Sequence, residues 1–247
     1  MKKKSFIMLV CALMIVSSVA FGTIAYLTDR AGVTNKFTIG NVDIVVDETE
    51  VDNNGDPVPN PDHDPSDPDD PYKRTENENI YPLIPGSEYI KDPTMTVKAG
   101  SEEAYVRMVV TITNSAELKN IFAQLSLQYP TIYPDGFLPK QHVTGWDNDV
   151  WQYIGTTENA VLNTLTLEFR YPEPVKPTDT EDVVLPALFE IIKVPGQLTN
   201  EHLAKLENLV ISVNGHAIQT TGFADADAAW AAFDAQMTAT TLTPVFP

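Results

Sequence analysis

Alternation of apolar and polar residues is the dominant pattern of this chain. Val42, Ile44 and Val46 are apolar at every second position, and Asp43 and Asp47 share the opposite face. A period of two is typical of a strand with one buried face. The same pattern recurs over residues 89–98, 104–114, 150–154, 165–171 and 209–220. The chain is therefore predicted to be rich in β-strands.

Residues 104–114 give the clearest central strand. Val106, Met108, Val110 and Ile112 are predicted to face the core, and Arg107 and Thr111 to face outward. Residues 89–98 contain Pro93 and predict an edge or bulged strand, because proline cannot donate to a ladder. The more continuously apolar segment 182–194 is predicted to be buried on both faces.

Helical periodicity is confined to a few places. An apolar stripe at i, i+3, i+7, i+10 and i+14 predicts a C-terminal helix: Phe223, Ala226, Trp230, Phe233 and Met237. Residues 199–206 predict a short helix with Thr199 as N-cap, and residues 115–122 a helical turn. Many short strands with one or two short peripheral helices indicate an all-β fold, a β-sandwich.

Residues 48–79 interrupt this pattern. Between Asp47 and Asn79 the sequence has twelve acidic residues, two basic ones and six prolines. Prolines cannot join a ladder and the carboxylates repel one another. We predict a long, acidic, Pro/Asp-rich insertion that is disordered and solvated, rather than a separate domain.

The first 25 residues have the composition of an export signal. Three lysines, Lys2 to Lys4, precede an apolar run from 6 to 21, and small residues follow at Thr23 and Ala25. We predict cleavage between Ala25 and Tyr26, which leaves a single sandwich domain over 26–247. The alternatives are an uncleaved membrane anchor, which would be the chain's one contact with a membrane, and a lipoprotein cut at Cys11.

Charge and cysteine content exclude several function classes. The formal net charge is −18, and loss of the three lysines with the signal would make it −21. Such a chain repels nucleic-acid phosphates and anionic membranes, so neither is expected as a partner. Cys11 is the single cysteine and lies in the signal. The mature chain therefore has no thiol for nucleophilic catalysis or for a zinc site.

Two motifs around the predicted cleavage site identify a family. The sequence reads AYLTD at 25–29 and NKFTIGNVDI at 35–44. This resembles the TasA/camelysin family of secreted Gram-positive proteins that a SipW-type signal peptidase processes, and further similarity lies at 82–97 and 211–230. The resemblance implies a jelly-roll sandwich and a place in the extracellular matrix or at the cell surface.

The resemblance also implies a fibre-forming role. Residues 26–38 would leave their own domain and complete the sheet of the next subunit as a donor strand. The strand-compatible residues are Tyr26, Leu27, Val33, Phe37 and Ile39. The partners would be further copies of the chain and other matrix proteins. The alternative is a disordered or self-docked N-terminal tail.

Enzymatic and adhesive functions are the rival hypotheses. Camelysin relatives are described as metalloproteases, but none of the four histidines, His63, His142, His202 and His216, belongs to an H-E-x-x-H helix. His202 is predicted to be a surface helix residue and His216 a strand residue. No catalytic residue and no cofactor is predicted. A non-polymerising surface adhesin or fibre accessory protein is the third hypothesis.

Two further groups of side chains could bind ligands. Asp52, Asn54 and Asp56 flank Gly55 as in part of a calcium loop, but no glutamate completes an EF-hand. They predict either a soluble acidic loop or weak calcium binding. Four aromatic residues could line a carbohydrate groove, although core packing is the simpler expectation: Trp146, Trp151, Tyr153 and Trp230.

Overall fold

This computed structural model describes residues 36–63, 71–207 and 209–241, and its strands form three β-sheets. The strands are β1 (Lys36–Ile39), β2 (Ile44–Thr49), β3 (Arg74–Thr75), β4 (Glu88–Ile90), β5 (Thr94–Val97), β6 (Ala104–Thr113), β7 (Val143–Thr144), β8 (Gln152–Asn159), β9 (Thr164–Arg170), β10 (Val183–Val184), β11 (Ile191–Lys193) and β12 (Ile211–Gln219). The helices are α1 (Ser115–Gln128), α2 (Asn200–Lys205) and α3 (Ala226–Thr241), with a 3₁₀ turn at Pro139–Gln141.

The largest sheet has the strand order β1-β12-β6-β9-β8. Strand β6 lies at its centre, as its alternation predicts, and Met108 pairs with Phe169 on one side and Gly215 on the other. All neighbours are antiparallel except β1, which runs parallel to β12. The two edges of this sheet are therefore the N-terminal strand of the described chain and β8.

Two smaller sheets, β10-β5-β2-β3 and β4-β11-β7, pack against the inner face of the large one. The sheets approach each other closely at Gly215, because a Cβ atom there would lie 2.4 Å from Val46 and 2.9 Å from Met95. Ile44, Val46 and Met108 are all buried in the shared core. The fold is an all-β sandwich, as predicted.

The outer face of the large sheet is covered by α3, which forms a second core. Trp230 and Phe233 are buried there with Ile218, as the apolar stripe predicts. Arg107, which the alternation places outward, does point to this face but is only 4% exposed. Arg107 therefore lies on the predicted outward face but is buried there, because alternation reports the face and not what covers it.

The helices are longer and more numerous than predicted. Helix α1 has 14 residues rather than one turn, and its buried residues Leu118, Ile121, Phe122 and Leu125 recur at helical spacing. The described chain has three α-helices where one or two were expected. Helix α2 follows the prediction, with Thr199 as its N-cap. No helix among the described residues has the length and apolar content needed to cross a membrane.

The acidic insertion is ordered wherever it is described. Strand β2 continues to Thr49 and pairs with β3, and Glu50 and Lys73 are joined by a 2.8 Å backbone hydrogen bond. Buried Glu48 forms a 2.7 Å ion pair with Lys91, which is also buried. The prediction of a disordered segment over 48–79 is wrong for 48–63 and 71–79, because polar pairs rather than apolar burial hold this segment. Residues 64–70 lie outside the described chain.

Two predicted strands are each broken in two. Pro93 separates β4 from β5, and these short strands belong to different sheets. Residues 182–194 form β10 and β11, with Leu188 fully buried between them but Val184 66% exposed. The prediction that 182–194 is buried on both faces is therefore wrong for β10, which lies at the edge of its sheet.

Candidate functional site

The predicted donor segment is described only at its C-terminal end. Ala25, Tyr26, Leu27 and Val33 lie outside the described residues, so the cleavage site and most of the donor strand stay predictions. Residues 36–39, with Phe37 and Ile39, form β1 at the edge of the chain's own large sheet. These four residues are therefore docked within their own subunit, which is the self-docked alternative for this part of the segment.

The opposite edge of the large sheet is exposed. Seven of the eight residues of β8 are solvent-exposed, and within the described chain β8 pairs only with β9. The ladder has one irregularity, between Tyr153 and Gly155, and is regular from Gly155 to Asn159. The strand contains no proline and no lysine, two residues that commonly protect sheet edges. The hairpin tip that follows exposes Val161 and Leu162.

An apolar cavity of about 400 Å³ opens beside this edge. Tyr153 of β8 and Phe169 of β9 line it on the large-sheet side, and Trp146 closes one wall, with its ring 5.9 Å from that of Phe169. Phe122 of α1 and His142 line the other side. The volume is within the range of small-molecule sites and of pockets that take side chains of a partner.

The four aromatic residues considered for a groove separate into two pairs. Trp151 is fully buried and Trp230 is 1% exposed, so both are core residues. Trp146 and Tyr153 line the cavity, with ring centroids 6.5 Å apart in an edge-to-face arrangement. The indole Nε1 of Trp146 donates to the carbonyl oxygen of Trp151 at 2.9 Å, which fixes the ring in place.

His142 is the one imidazole in the lining of this cavity. Its ring stacks on Phe137 at 5.6 Å and meets Phe122 edge-on at 4.7 Å. Burial lowers the pKa of His142 to about 4, so the ring is neutral at neutral pH. Its buried Nε2 has no hydrogen-bond partner within the described chain. The cavity wall is therefore uncharged at this point.

The candidate calcium residues form a tight turn. The Asp52 carboxylate accepts hydrogen bonds from the backbone amides of Asn54 at 2.8 Å and Asp56 at 3.0 Å, and these bonds lower its pKa. Gly55 adopts a positive φ of 82° and lies against the ring of Tyr89, where no side chain would fit. The Asp52 carboxylate thus closes the turn.

The histidines do not fit the zinc site that a metallopeptidase would need. His202 caps α2 through Thr199, and His216 accepts a hydrogen bond from Arg107, a cation that opposes metal binding. His142 lies among aromatic rings. In the described ranges, no three His, Cys, Asp or Glu side chains are grouped so as to hold a metal ion.

The exposed β8 edge and the cavity are features that the sequence pattern missed. Residues 152–159 read QYIGTTEN and lack the apolar alternation that identifies a buried face. That lack of alternation is itself a signal, because a strand exposed along its length belongs at an edge. The cavity brings together residues from distant parts of the chain, which no local pattern relates.

Comparison with known proteins agrees with the N-terminal motifs. Residues 1–60 match the family model described as camelysin metallo-endopeptidase. This N-terminal stretch is therefore similar to the camelysin family. The match includes both motifs at 25–44 and ends within the acidic insertion. No curated protein and no solved structure matches the chain significantly.

Proposed function

We propose that this protein is a secreted structural component of the extracellular matrix or cell surface that assembles into fibres by donor-strand exchange. The observation that carries the proposal is the position of β1. This strand is only four residues long and lies at a sheet edge, paired with β12 alone. The motif at 25–29 precedes β1 in the chain, and the motif at 35–44 includes it. We take the intervening segment, with Tyr26 at its start, as the donor.

Donor-strand exchange is a head-to-tail contact between subunits, and it can repeat from one subunit to the next. The donor segment of one subunit and the acceptor surface of the next are different surfaces, so the contact is heterologous and extends into a filament instead of closing a dimer. Main-chain hydrogen bonds to the donated strand supply affinity, and pockets for its alternate side chains supply specificity. The absence of cysteine from 26–247 means that such fibres would be held without disulfides.

Net charge makes assembly pH-dependent. Subunits that carry a charge near −21 repel one another at neutral pH, and the repulsion falls as the pH approaches the sequence pI of about 4.4. Electron microscopy and light scattering of residues 26–247 at pH 7 and pH 4.5 test the proposal. Filaments are expected at the lower pH, and at neutral pH with high salt. A monomer under every condition would favour the adhesin or accessory hypothesis.

Export is part of the same proposal. The positively charged and apolar N-terminal segment and the small residue Ala25 support cleavage before Tyr26. Mass spectrometry of material recovered outside the cells is expected to give a chain that begins at Tyr26. A chain that retains Cys11 would contradict this and would favour a membrane-anchored form.

A camelysin-like secreted metalloprotease is the second candidate, because the matching family model carries that description. The histidines described above are dispersed, which argues against a zinc-dependent protease. Casein hydrolysis by purified 26–247, with and without a chelator, separates the two functions. Chelator-sensitive proteolysis with one bound zinc per chain would establish the enzyme.

A further inference from the structure

We propose that the apolar cavity between α1 and the large sheet binds a single-chain amphiphile with an anionic head, of the class of a medium-chain fatty acid. The alkyl tail occupies the cavity, and the carboxylate lies at Lys140 on the cavity rim. This binding site is independent of fibre assembly, so its experiments require no filaments.

The size and lining of the cavity suit an apolar occupant better than water. Protein cores contain few voids larger than a water molecule, and the volume here is about 400 Å³. A buried water needs about two to four polar partners. Most of the lining is aliphatic or aromatic, including Val110, Leu167 and Phe169 from the large sheet, and these side chains offer no such partners.

The walls of the cavity are held by their own contacts. Phe122 of α1 packs against Tyr133 and Phe137, with ring centroids 5.4 Å and 5.0 Å away. Trp146 on another wall is fixed by its hydrogen bond to the carbonyl oxygen of Trp151. A preformed cavity binds an apolar chain without the cost of ordering its own walls.

The charges on the rim favour an anionic head. The chain has 34 acidic and 16 basic residues, yet the described residues that line the cavity include two lysines and no acidic residue. Lys193 forms an ion pair with Glu88 at 2.8 Å. Lys140 is exposed, and no carboxylate of the described chain pairs with it. The rim therefore carries one positive charge that a ligand carboxylate can neutralise.

The volume sets the length of the alkyl chain. At about 30 Å³ for each water-sized group, 400 Å³ holds roughly 13 such groups. The tail of laurate fits within this volume, and the two acyl chains of a membrane phospholipid do not. The net negative charge of the protein repels anions at long range, so the local charge of Lys140 has to select the head group.

A series of saturated fatty acids tests the size and the charge of the site. In calorimetric titration of 26–247, the affinity is expected to rise about three- to fourfold for each added methylene from octanoate to laurate and to level off beyond laurate. Dodecyltrimethylammonium, which has the same tail and a cationic head, should bind about fivefold more weakly than laurate. Absence of laurate binding, or equal binding of the two head groups, would overturn the proposal.

Tryptophan fluorescence locates the bound chain. Of the three tryptophans, Trp146 lines the cavity, whereas Trp151 and Trp230 are buried elsewhere in the core. Bromine quenches an indole ring that it contacts, so 11-bromoundecanoate is expected to lower the emission and undecanoate is not. Trp146→Phe should remove most of the quenching and retain laurate binding. Quenching that persists in this variant would place the ligand outside the cavity and contradict the proposal.

Two further variants test the rim and the interior. Lys140→Glu is expected to weaken laurate about fivefold and to leave 1-dodecanol unchanged, while Lys176→Glu, at an exposed lysine outside the lining, should affect neither. Val110→Phe fills part of the cavity and should weaken both ligands about tenfold, with circular dichroism to verify the fold. Equal affinities for laurate in the Lys140→Glu and Lys176→Glu variants would overturn the assignment of the head group, and this comparison does not depend on whether Val110→Phe folds.

Discussion

Arg107 of β6 donates a hydrogen bond from its Nε to Nδ1 of His216 in β12, over a distance of 3.0 Å. The same guanidinium lies over the ring of Trp230 at 4.4 Å and forms ion pairs with Glu168 and Asp234. One cation thus joins three strands of the large sheet to helix α3. It is the polar centre of the second core, and it fixes how the C-terminal helix packs.

Replacement of Arg107 should destabilise this helix. Arg107→Met removes the hydrogen bond to His216 and the ion pairs with Glu168 and Asp234, whose side chains are 25% and 56% exposed. It is expected to lower the free energy of unfolding by about 1–3 kcal/mol. Urea denaturation at pH 7 measures the loss. The control is Lys119→Met, which breaks the exposed pair with Glu158 and should cost less than about 1 kcal/mol. Equal costs would contradict a buried role for Arg107.

Stability should fall with pH through His216. Burial, and then the nearby Arg107 cation, lower its folded pKa to about 3, while Asp234 opposes the shift; an unfolded histidine titrates near 6.5. The unfolded state therefore binds the proton more readily, so stability is complete above pH 6.5 and declines towards pH 3. His216→Gln should reduce the change in the free energy of unfolding between pH 7 and pH 5, as measured by urea denaturation. An unchanged slope would show that His216 does not titrate on unfolding.

The strands and the C-terminal helix were predictable because each is a local pattern. Val106 to Ile112 alternate along one strand, and the stripe through Trp230 and Phe233 follows one helix. The burial of Arg107 was not predictable, because the cover over the outer face comes from α3, more than a hundred residues later in the chain. The order of residues 48–63 was missed because paired polar groups hold it, and an acidic composition does not reveal which carboxylates find partners.

Asn79 should be essential to the ordered insertion. Its Nδ2 donates to the Glu48 carboxylate and to the Thr49 carbonyl oxygen, both at 2.8 Å, and its Oδ1 accepts from the Val51 amide. Asn79→Ala leaves these groups without partners and is expected to cost about 1–3 kcal/mol in urea denaturation. Asn77→Ala, at an exposed position nearby, is the control and should change stability little. A small effect at both positions would restore the disordered description.

Calcium binding at the acidic turn should be weak. The Asp52 carboxylate already accepts two backbone amides, so a cation would have to compete with the turn itself. Calorimetric titration of 26–247 with calcium is expected to give a dissociation constant no tighter than about 1 mM, the weak end of extracellular sites. Binding tighter than about 0.1 mM that Asp52→Ala abolishes would establish a true site.

The candidate assembly surface could be predicted only in part. The motifs at 25–44 pointed to a donor segment, and β1 lies where that segment meets the sheet. The exposed β8 edge and the cavity beside it were not predictable, because β8 lacks apolar alternation and the cavity draws Phe122, Trp146 and Phe169 from separate parts of the chain. An unpaired sheet edge such as that of β8 can be located only once the pairing of the other strands is known.

Removal of the donor segment tests the central claim most directly. Residues 26–247 and the truncated chain 36–247, which keeps every described strand and helix, are compared by electron microscopy at pH 4.5, with circular dichroism to verify that both are folded. We expect filaments from the longer chain and folded monomers from the shorter one. Identical filaments from both chains would contradict donor-strand assembly.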